Sequence, residues 1–374
     1  MQLQSSFSFF MPTRVLHGQN IIQDEQSRLG EMGTRCLIVT GASSAKASGA
    51  FQDLTSALEN LGIRYELFDQ VEPNPSLENV AQGGDAARRF EPDFIAAIGG
   101  GSPLDAAKAI AVLAVNDIPP QQLYDGHFAN TPLPIAAVPT TAGTGSEVTP
   151  YSVLTITDQE TKKGFGGPDL FPKLAFLDPR YCQSLPFQVT VDTAVDALSH
   201  LVEGYLSARA NDASDMLAER GMALWGTCLP ALQIGEGALD AAVRDRLLVA
   251  SALGGMTISH TGTAYVHSLG YPLTFYHDIP HGQANGLLLP GFLRHAESVN
   301  PDRVAAILRH LDHRSTKSLG DTLASLFPRR VQLSQDELDS YVEKTLPTKN
   351  VTHSPGTVTR EVLINTLAEN FSRP

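Results

Sequence analysis

The sequence predicts two domains: an α/β domain built on a parallel sheet over residues 1–184, and an all-helical domain over residues 185–374. Three observations lead there. Through the first half, short apolar runs alternate with stretches of helical spacing, the order that winds helices around a parallel sheet. Two of those runs end in loops of glycine and hydroxyl residues. Beyond residues 178–186, D-P-R-Y-C-Q-S-L-P, the strand signals fade and helical spacing takes over.

The elements follow in order. Residues 34–40, T-R-C-L-I-V-T, form a buried strand that ends at Gly41. Phe51, Leu54, Leu58 and Leu61 stand at helical spacing and stop at Gly62. Residues 64–69 read as a second strand, 77–90 as a helix and 93–98 as a third strand. That strand runs into G-G-G-S-P-L-D-A-A-K-A-I-A (99–111). Glycines let backbone approach a phosphate, a helix N-terminus offers unpaired N–H groups, and Pro103 suits a first helical turn. The loop is not a G-x-G-x-x-G fingerprint, and it follows the third strand rather than the first. A plain glycine-rich turn would share its glycines, but Ser102 and Asp105 make it unusually polar, so both are counted with a ligand loop.

A further strand, 133–138, leads into P-T-T-A-G-T-G-S-E (139–147). This is either a surface loop or a second cradle for phosphate and ribose oxygens. Both loops follow apolar strands, so they are expected at one sheet edge, where open α/β sheets bind ligands. Two such loops point to a dinucleotide and a Rossmann-like domain. Strands at 153–157 and 174–178 close it. Helices are expected at 192–206, 214–232, 239–260, 285–295 and 302–311, then to about Phe371, with 348–358 an exposed loop.

Composition bounds the function. At 374 residues, with 42% apolar and 18% charged, the chain can bury a large core without staples. A net charge of −13 argues against nucleic-acid or anionic-membrane partners. Cys36, Cys182 and Cys228 lack C-x-x-C spacing, which fits free thiols in a reducing compartment. The first residues lack the basic stretch of a signal peptide, and no apolar run approaches the ~20 residues of a membrane span. A soluble, cytoplasmic protein is expected.

The chemistry gathers at D-T-A-V-D-A-L-S-H-L-V-E-G-Y (192–205). Asp196 and His200 lie four apart, on one helical face. Such a pair is commonly just solvated. Here Val195, Leu198, Leu201 and Val202 bury the helix, and a buried carboxylate needs a partner. His267 and His281 follow downstream, the latter before Gly282 in a turn after Pro280. One carboxylate and three imidazoles suit zinc or ferrous iron. The cleft between the two domains is the expected site.

Several separate motifs then carry a resemblance: V-E-P-N-P (71–75), I-G-G-G-S-P-L-D-A-A-K (98–108), P-T-T-A-G-T-G-S-E-V-T (139–149), D-A-L-S-H (196–200) and I-P-H-G-Q-A-N (279–285). The chain resembles the iron-containing (group III) alcohol dehydrogenases, a family that includes lactaldehyde/propanediol oxidoreductases and butanol dehydrogenases. The match fades in the last ~60 residues. The resemblance implies that Asp196, His200, His267 and His281 hold the metal, Fe2+ or Zn2+. It also implies that Gly100, Gly101 and Ser102 bind pyrophosphate, and that Asn74, Thr140, Thr141 and Thr144 contact NAD or NADP. Hydride transfer between a small or medium primary alcohol and nicotinamide C4 would follow, in a homodimer.

Three departures stand out. Many members carry a histidine four residues after the third ligand, where this chain has Tyr271. His277, six residues later, is either a proton relay or a plain loop histidine. NAD-preferring members often have Asp after the first strand; Gly41 stands there, so repulsion of a 2′-phosphate is missing and Ser43, Ser44 and Lys46 could hold one. Some relatives place a lysine at the position of Gly164, so that contact is absent or moved to Lys162 or Lys163. Tyr151, Phe165, Tyr271 and Phe275 either narrow the substrate site or are core aromatics. The competing readings are a glycerol or polyol dehydrogenase, a dehydroquinate-synthase-like lyase, and a non-catalytic nucleotide binder.

Overall fold

A computed structural model of the chain describes residues 6–327 and 331–371. It divides into two compact units. One is Met11–Pro186; the other takes residues 187–327 and 331–371 together with residues 6–10. The expected boundary after residue 184 thus falls two residues later. Residues 6–10, expected in the α/β domain, belong with the helices, because Phe9 stacks on His260 at 4.4 Å and the Phe10 N–H donates to His260 Nε2 at 3.1 Å.

In the first unit the strands are β1 (Arg14–His17), β2 (Arg35–Gly41), β3 (Arg64–Val71), β4 (Phe94–Gly99), β5 (Ile135–Pro139), β6 (Tyr151–Ile156), β7 (Thr161–Gly166) and β8 (Leu174–Leu177). Among the described residues, six make one parallel sheet in the order β1-β8-β5-β4-β2-β3. Helices α1 (Ala50–Asn60), α2 (Leu77–Phe90) and α3 (Gly101–Val115) cover it. The inner strands β2, β4, β5 and β8 are largely apolar because both of their faces are buried. Leu37, Val39, Ile95, Ala97, Ile135 and Ala137 pack with Val80 of α2 and Ile110 of α3. Their neighbours Cys36, Ile38, Phe94, Ala96, Ala136 and Val138 face the other way, onto Leu54 and Leu58 of α1.

Two strands were not foreseen. β1 is a four-residue edge strand, R-V-L-H, too short to show a pattern. β7 carries K-K-G and pairs antiparallel with β6, so the expected strand near 153–157 stands outside the parallel sheet. The chain reverses its progress across the sheet between β2 and β4, and parallel strands put the ends Gly41, Gly99 and Pro139 on one edge.

The second unit is helical: α4 (Phe187–Leu206), α5 (Asp212–Gly226), α6 (Ala241–Thr261), α7 (Tyr265–His277), α8 (His281–Val299), α9 (Gln335–Thr345) and α10 (Arg360–Phe371), with shorter pieces between. No helix among the described residues is long and apolar enough to cross a membrane. The single helix expected over 214–232 breaks: α5 stops where a Cβ on Gly226 would lie 2.3 Å from the His310 carbonyl oxygen, and Leu229–Ile234 restarts with proline in its first turn. The stretch 348–358 is not simply an exposed loop, since Lys349–His353 is helical and Ser354 is buried. Helix α7 was hidden by Pro272, which sits inside it; proline normally ends a helical pattern.

Candidate metal centre and cofactor loops

Helix α4 is buried along its second half, and that burial makes its polar residues conspicuous. Asp196 and His200 are 4% and 5% exposed. His267, in the first turns of α7, is 4% exposed. Ligand atoms of these three lie within 4.8 Å of one another. His281 brings Nε2 to 3.8 Å from Asp196 Oδ1, matching the 3.9 Å from that oxygen to His267 Nε2. All four residues expected as metal ligands are therefore together. His281 opens α8 rather than sitting in a turn, with Pro280 as the residue before the first turn. Gly282 makes this possible: a Cβ there would lie 1.7 Å from the Asp192 carbonyl oxygen, so the start of α8 lies directly on α4.

The donor set fits a divalent ion. Donor atoms bound at about 2.1 Å around a tetrahedral ion sit roughly 3.4 Å apart, close to the spacing here. Burial alone would raise the Asp196 carboxyl, but His200, His281, His267 and the Asn285 amide outweigh it and hold it below the usual carboxylate range. The centre is closed on most sides. The His281 side chain, 28% exposed, marks its open side.

Two partners complete it that the sequence reading passed over. Glu203, fully buried on α4, accepts the Nδ1 proton of His267 and the N–H groups of Ala264 at 2.9 Å and His267 at 3.4 Å. That bond leaves the His267 Nε2 lone pair for a metal. Burial disfavours charge on His267, but Glu203 and Asp196 overcome it and raise the imidazole above its ordinary value. Asn285, one turn after His281, donates Nδ2 to Asp196 Oδ1 at 3.1 Å. The signal for both was spacing: Glu203 falls on the face of Asp196 and His200, and Asn285 on the face of His281.

Tyr271 stacks on His281, with ring centroids 5.7 Å apart, and so reaches the centre. His277 has other partners. It ends α7, and its Nε2 pairs with Tyr341 Oη at 2.8 Å and lies 3.4 Å from Glu337 on α9. This arrangement offers no support for a relay. Phe165 is a core aromatic, packed edge-on against Tyr124 at 5.9 Å. Phe275 packs on Tyr276 at 5.0 Å.

In the first unit the two loops lie against each other. Gly99 and Pro139 are register partners, and the Thr140 N–H donates to the Gly99 carbonyl at 2.9 Å. A Cβ on Gly100 would meet Thr141 Oγ1 at 3.1 Å, and one on Gly101 would meet Thr144 Cγ2 at 2.6 Å. The result is a glycine backbone at a helix N-terminus facing threonine hydroxyls, a donor-rich cradle that fits a pyrophosphate. Asn74, in a left-handed conformation with φ 56, donates its N–H to Ser102 Oγ at 3.1 Å. Lys162 donates to Asn74 Oδ1 at 2.8 Å, whereas Lys163 lies over the Tyr124 ring. Of the two lysines, Lys162 is therefore the one that reaches the Asn74 side of the loops. Gly41 ends β2, and Lys46 beyond it pairs with Asp69 at 3.3 Å. Asp105 differs from its expectation: its carboxylate accepts from Ser146 Oγ at 2.6 Å and the Val153 N–H at 2.9 Å, so it braces the loops from within.

Comparison with known proteins agrees over most of the chain. A family model described as iron-containing alcohol dehydrogenase matches residues 12–179, and a C-terminal model of the Fe-containing alcohol dehydrogenase family matches residues 190–364. A 1,3-propanediol dehydrogenase of Klebsiella pneumoniae is 35% identical over 305 residues, 80% of this chain and 78% of its own. An NADPH-dependent butanol dehydrogenase of Clostridium saccharobutylicum is 29% identical over 327 residues, 85% of this chain and 82% of its own. The crystal structure of an iron-containing alcohol dehydrogenase from Thermotoga maritima superposes with a TM-score of 0.91 at 40% identity, covering 97% of this chain and 99% of that one.

Proposed function

Since the chain belongs to the iron-containing alcohol dehydrogenase family and is an oxidoreductase, we propose that it interconverts a small or medium primary alcohol and its aldehyde, using a nicotinamide dinucleotide and one divalent ion, Fe2+ by preference and Zn2+ as the alternative. The observation that carries this reading is the meeting of Asp196, His200, His267 and His281 around one point, with Glu203 setting the tautomer of His267. A divalent ion held there supplies Lewis-acid polarisation of the alcohol or carbonyl oxygen.

The chain's own residues do the rest. Asp196 contributes a carboxylate beside three imidazoles. Asn285 holds its carboxylate in place. Tyr271, stacked on the most exposed ligand, presents an aromatic wall beside the open side and favours a modest apolar substrate. Gly100, Gly101, Thr141 and Thr144 hold the pyrophosphate, with Asn74, Ser102 and Lys162 beside them and Thr140 behind. NADP is proposed to be accepted beside NAD, because Gly41 leaves no acid at the end of β2 to repel a 2′-phosphate. The three buried free thiols support a reducing, cytoplasmic setting, and the family resemblance supports a homodimer.

The test is a cofactor-by-metal matrix. Stripped protein is reloaded with Fe2+ under anaerobic conditions or with Zn2+, and nicotinamide absorbance is followed with each dinucleotide over a panel of alcohols and aldehydes. Turnover that requires metal and is absent in His267→Ala supports the reading. Protein that binds metal and dinucleotide yet turns over none of the panel would sink it.

A further inference from the structure

Lys108 is a charged residue in the wrong place for a charge. It stands in the apolar run A-A-K-A-I-A of α3, and its side chain is completely buried. Burying an ammonium costs several kcal/mol unless each proton finds an acceptor. All three do. Nζ donates to Ser146 Oγ at 2.7 Å, Thr149 Oγ1 at 3.3 Å and the Tyr151 carbonyl at 2.6 Å. Every acceptor lies near the end of the second loop or just after it. Asp105, one turn earlier on α3, binds the same stretch through Ser146 Oγ and the Val153 N–H, and its carbonyl accepts Ser152 Oγ at 2.8 Å.

These bonds lead to the cradle in two steps. The Ser146 N–H donates to Thr144 Oγ1 at 3.2 Å, and the Thr144 side chain lies against Gly101 with no room for a Cβ between them. Lys108 sits two helical turns beyond Gly101 on the same rigid helix. A shift of Ser146 by a fraction of an ångström would therefore move the Thr144 hydroxyl relative to the Gly100–Gly101 backbone. Apolar packing would fill the same volume without specifying that distance, whereas a saturated ammonium specifies it through directional bonds. A nucleophilic role is excluded, since Nζ is enclosed and its protons are all engaged.

We propose that Lys108 is a positioning residue for the dinucleotide: from inside the first unit it fixes the second loop to the helix that carries the first, and so sets the spacing of the pyrophosphate cradle. The proposal rests on the reading of these loops as the cofactor site.

The experiment compares metal-loaded wild type with Lys108→Met, which keeps length and removes the donors. Binding of NADH and NADPH is read directly by nicotinamide fluorescence. Steady-state constants, metal affinity by chelator competition and the thermal midpoint are measured alongside. The expected result is a dinucleotide Kd and KM raised by about tenfold or more, with kcat at saturating dinucleotide and metal affinity little changed. An unchanged Kd with a lower midpoint would make Lys108 merely structural and overturn the proposal. So would a parallel loss of metal affinity, which places the damage outside the cradle. Should Lys108→Met yield no folded protein, Thr149→Val is measured in the same way: a Kd raised about two- to threefold supports the proposal and an unchanged one overturns it. A wild type that binds neither dinucleotide removes the cofactor reading as well, which separates the two failures.

Discussion

The carboxylate of Glu203 accepts the Nδ1 proton of His267 and at the same time two N–H groups at the start of α7. One buried side chain thus orients the imidazole proposed to hold the metal and anchors the helix that carries it. Glu203→Gln removes the carboxylate charge that faces the His267 Nδ1–H and leaves one acceptor oxygen where two are used. Metal affinity is expected to fall by about 10- to 100-fold. Chelator competition on folded protein reads this directly, and an affinity within twofold of wild type would show that His267 needs no such partner.

Gly282 is a test of close approach. Gly282→Ala drives a Cβ into the Asp192 backbone, which cannot yield as a side chain can. The start of α8 must move, taking His281 with it. A loss of about 1–3 kcal/mol in stability is expected, together with weaker metal retention. Gly237→Ala, where nothing lies within 4 Å of the added Cβ, is the control and is expected to be silent. Equal behaviour of the two variants would refute the close packing of α8 on α4.

Glu147 offers a pH test away from the metal. Burial pushes its carboxyl up to about 7, against its own backbone N–H and the charge of Lys108, and its Oε1 has no hydrogen-bond partner among the described residues. The folded state therefore binds the proton more tightly than the unfolded one, whose carboxyl titrates near 4.5. The stability this contributes is fully present below the unfolded value and is lost as pH rises through about 7, by up to about 3 kcal/mol. Glu147→Gln should lack that slope. Denaturant unfolding of both proteins from pH 4 to 8 checks it, and parallel curves would exclude a buried titrating Glu147.

The dinucleotide preference turns on the end of β2. A Cβ at Gly41 would lie 3.4 Å from the Val71 carbonyl oxygen, so Gly41→Asp is sterically tolerable. Its charge should lower the NADP-to-NAD ratio of kcat/KM by about tenfold or more, chiefly through NADP. An unchanged ratio would mean that the ribose lies elsewhere.

Much of this was legible before any coordinates. The apolar runs of β2, β4 and β5 could hardly be anything but buried strands, since both faces are covered and no polar alternation interrupts them. The pairing of Asp196 with His200 was legible because helical spacing is a local rule. Less legible were elements whose local signals conflict with their environment. Helix α7 contains Pro272, and packing sustains it across the missing N–H. Strand β1 exists because β8 offers it a partner. Asp105 looked like a ligand contact because its place beside the glycine loop gives no hint of which way its carboxylate turns.

The sequence by itself determined the strands β2 to β5 with the helices between them, the two glycine–hydroxyl loops, the pairing of Asp196 with His200 on one helical face, and the family. Each of these depends on residues near one another in the chain, where periodicity and turn chemistry act. Only the tertiary structure decided that Glu203 bonds His267, that Asn285 holds Asp196, that Lys162 rather than Lys163 reaches Asn74, and that Lys108 ties α3 to Ser146, Thr149 and Tyr151. Those contacts span 38 to 89 positions of sequence. They arise because burial leaves a polar atom no water to bond, so it must find its partner in whichever segment the packing brings alongside.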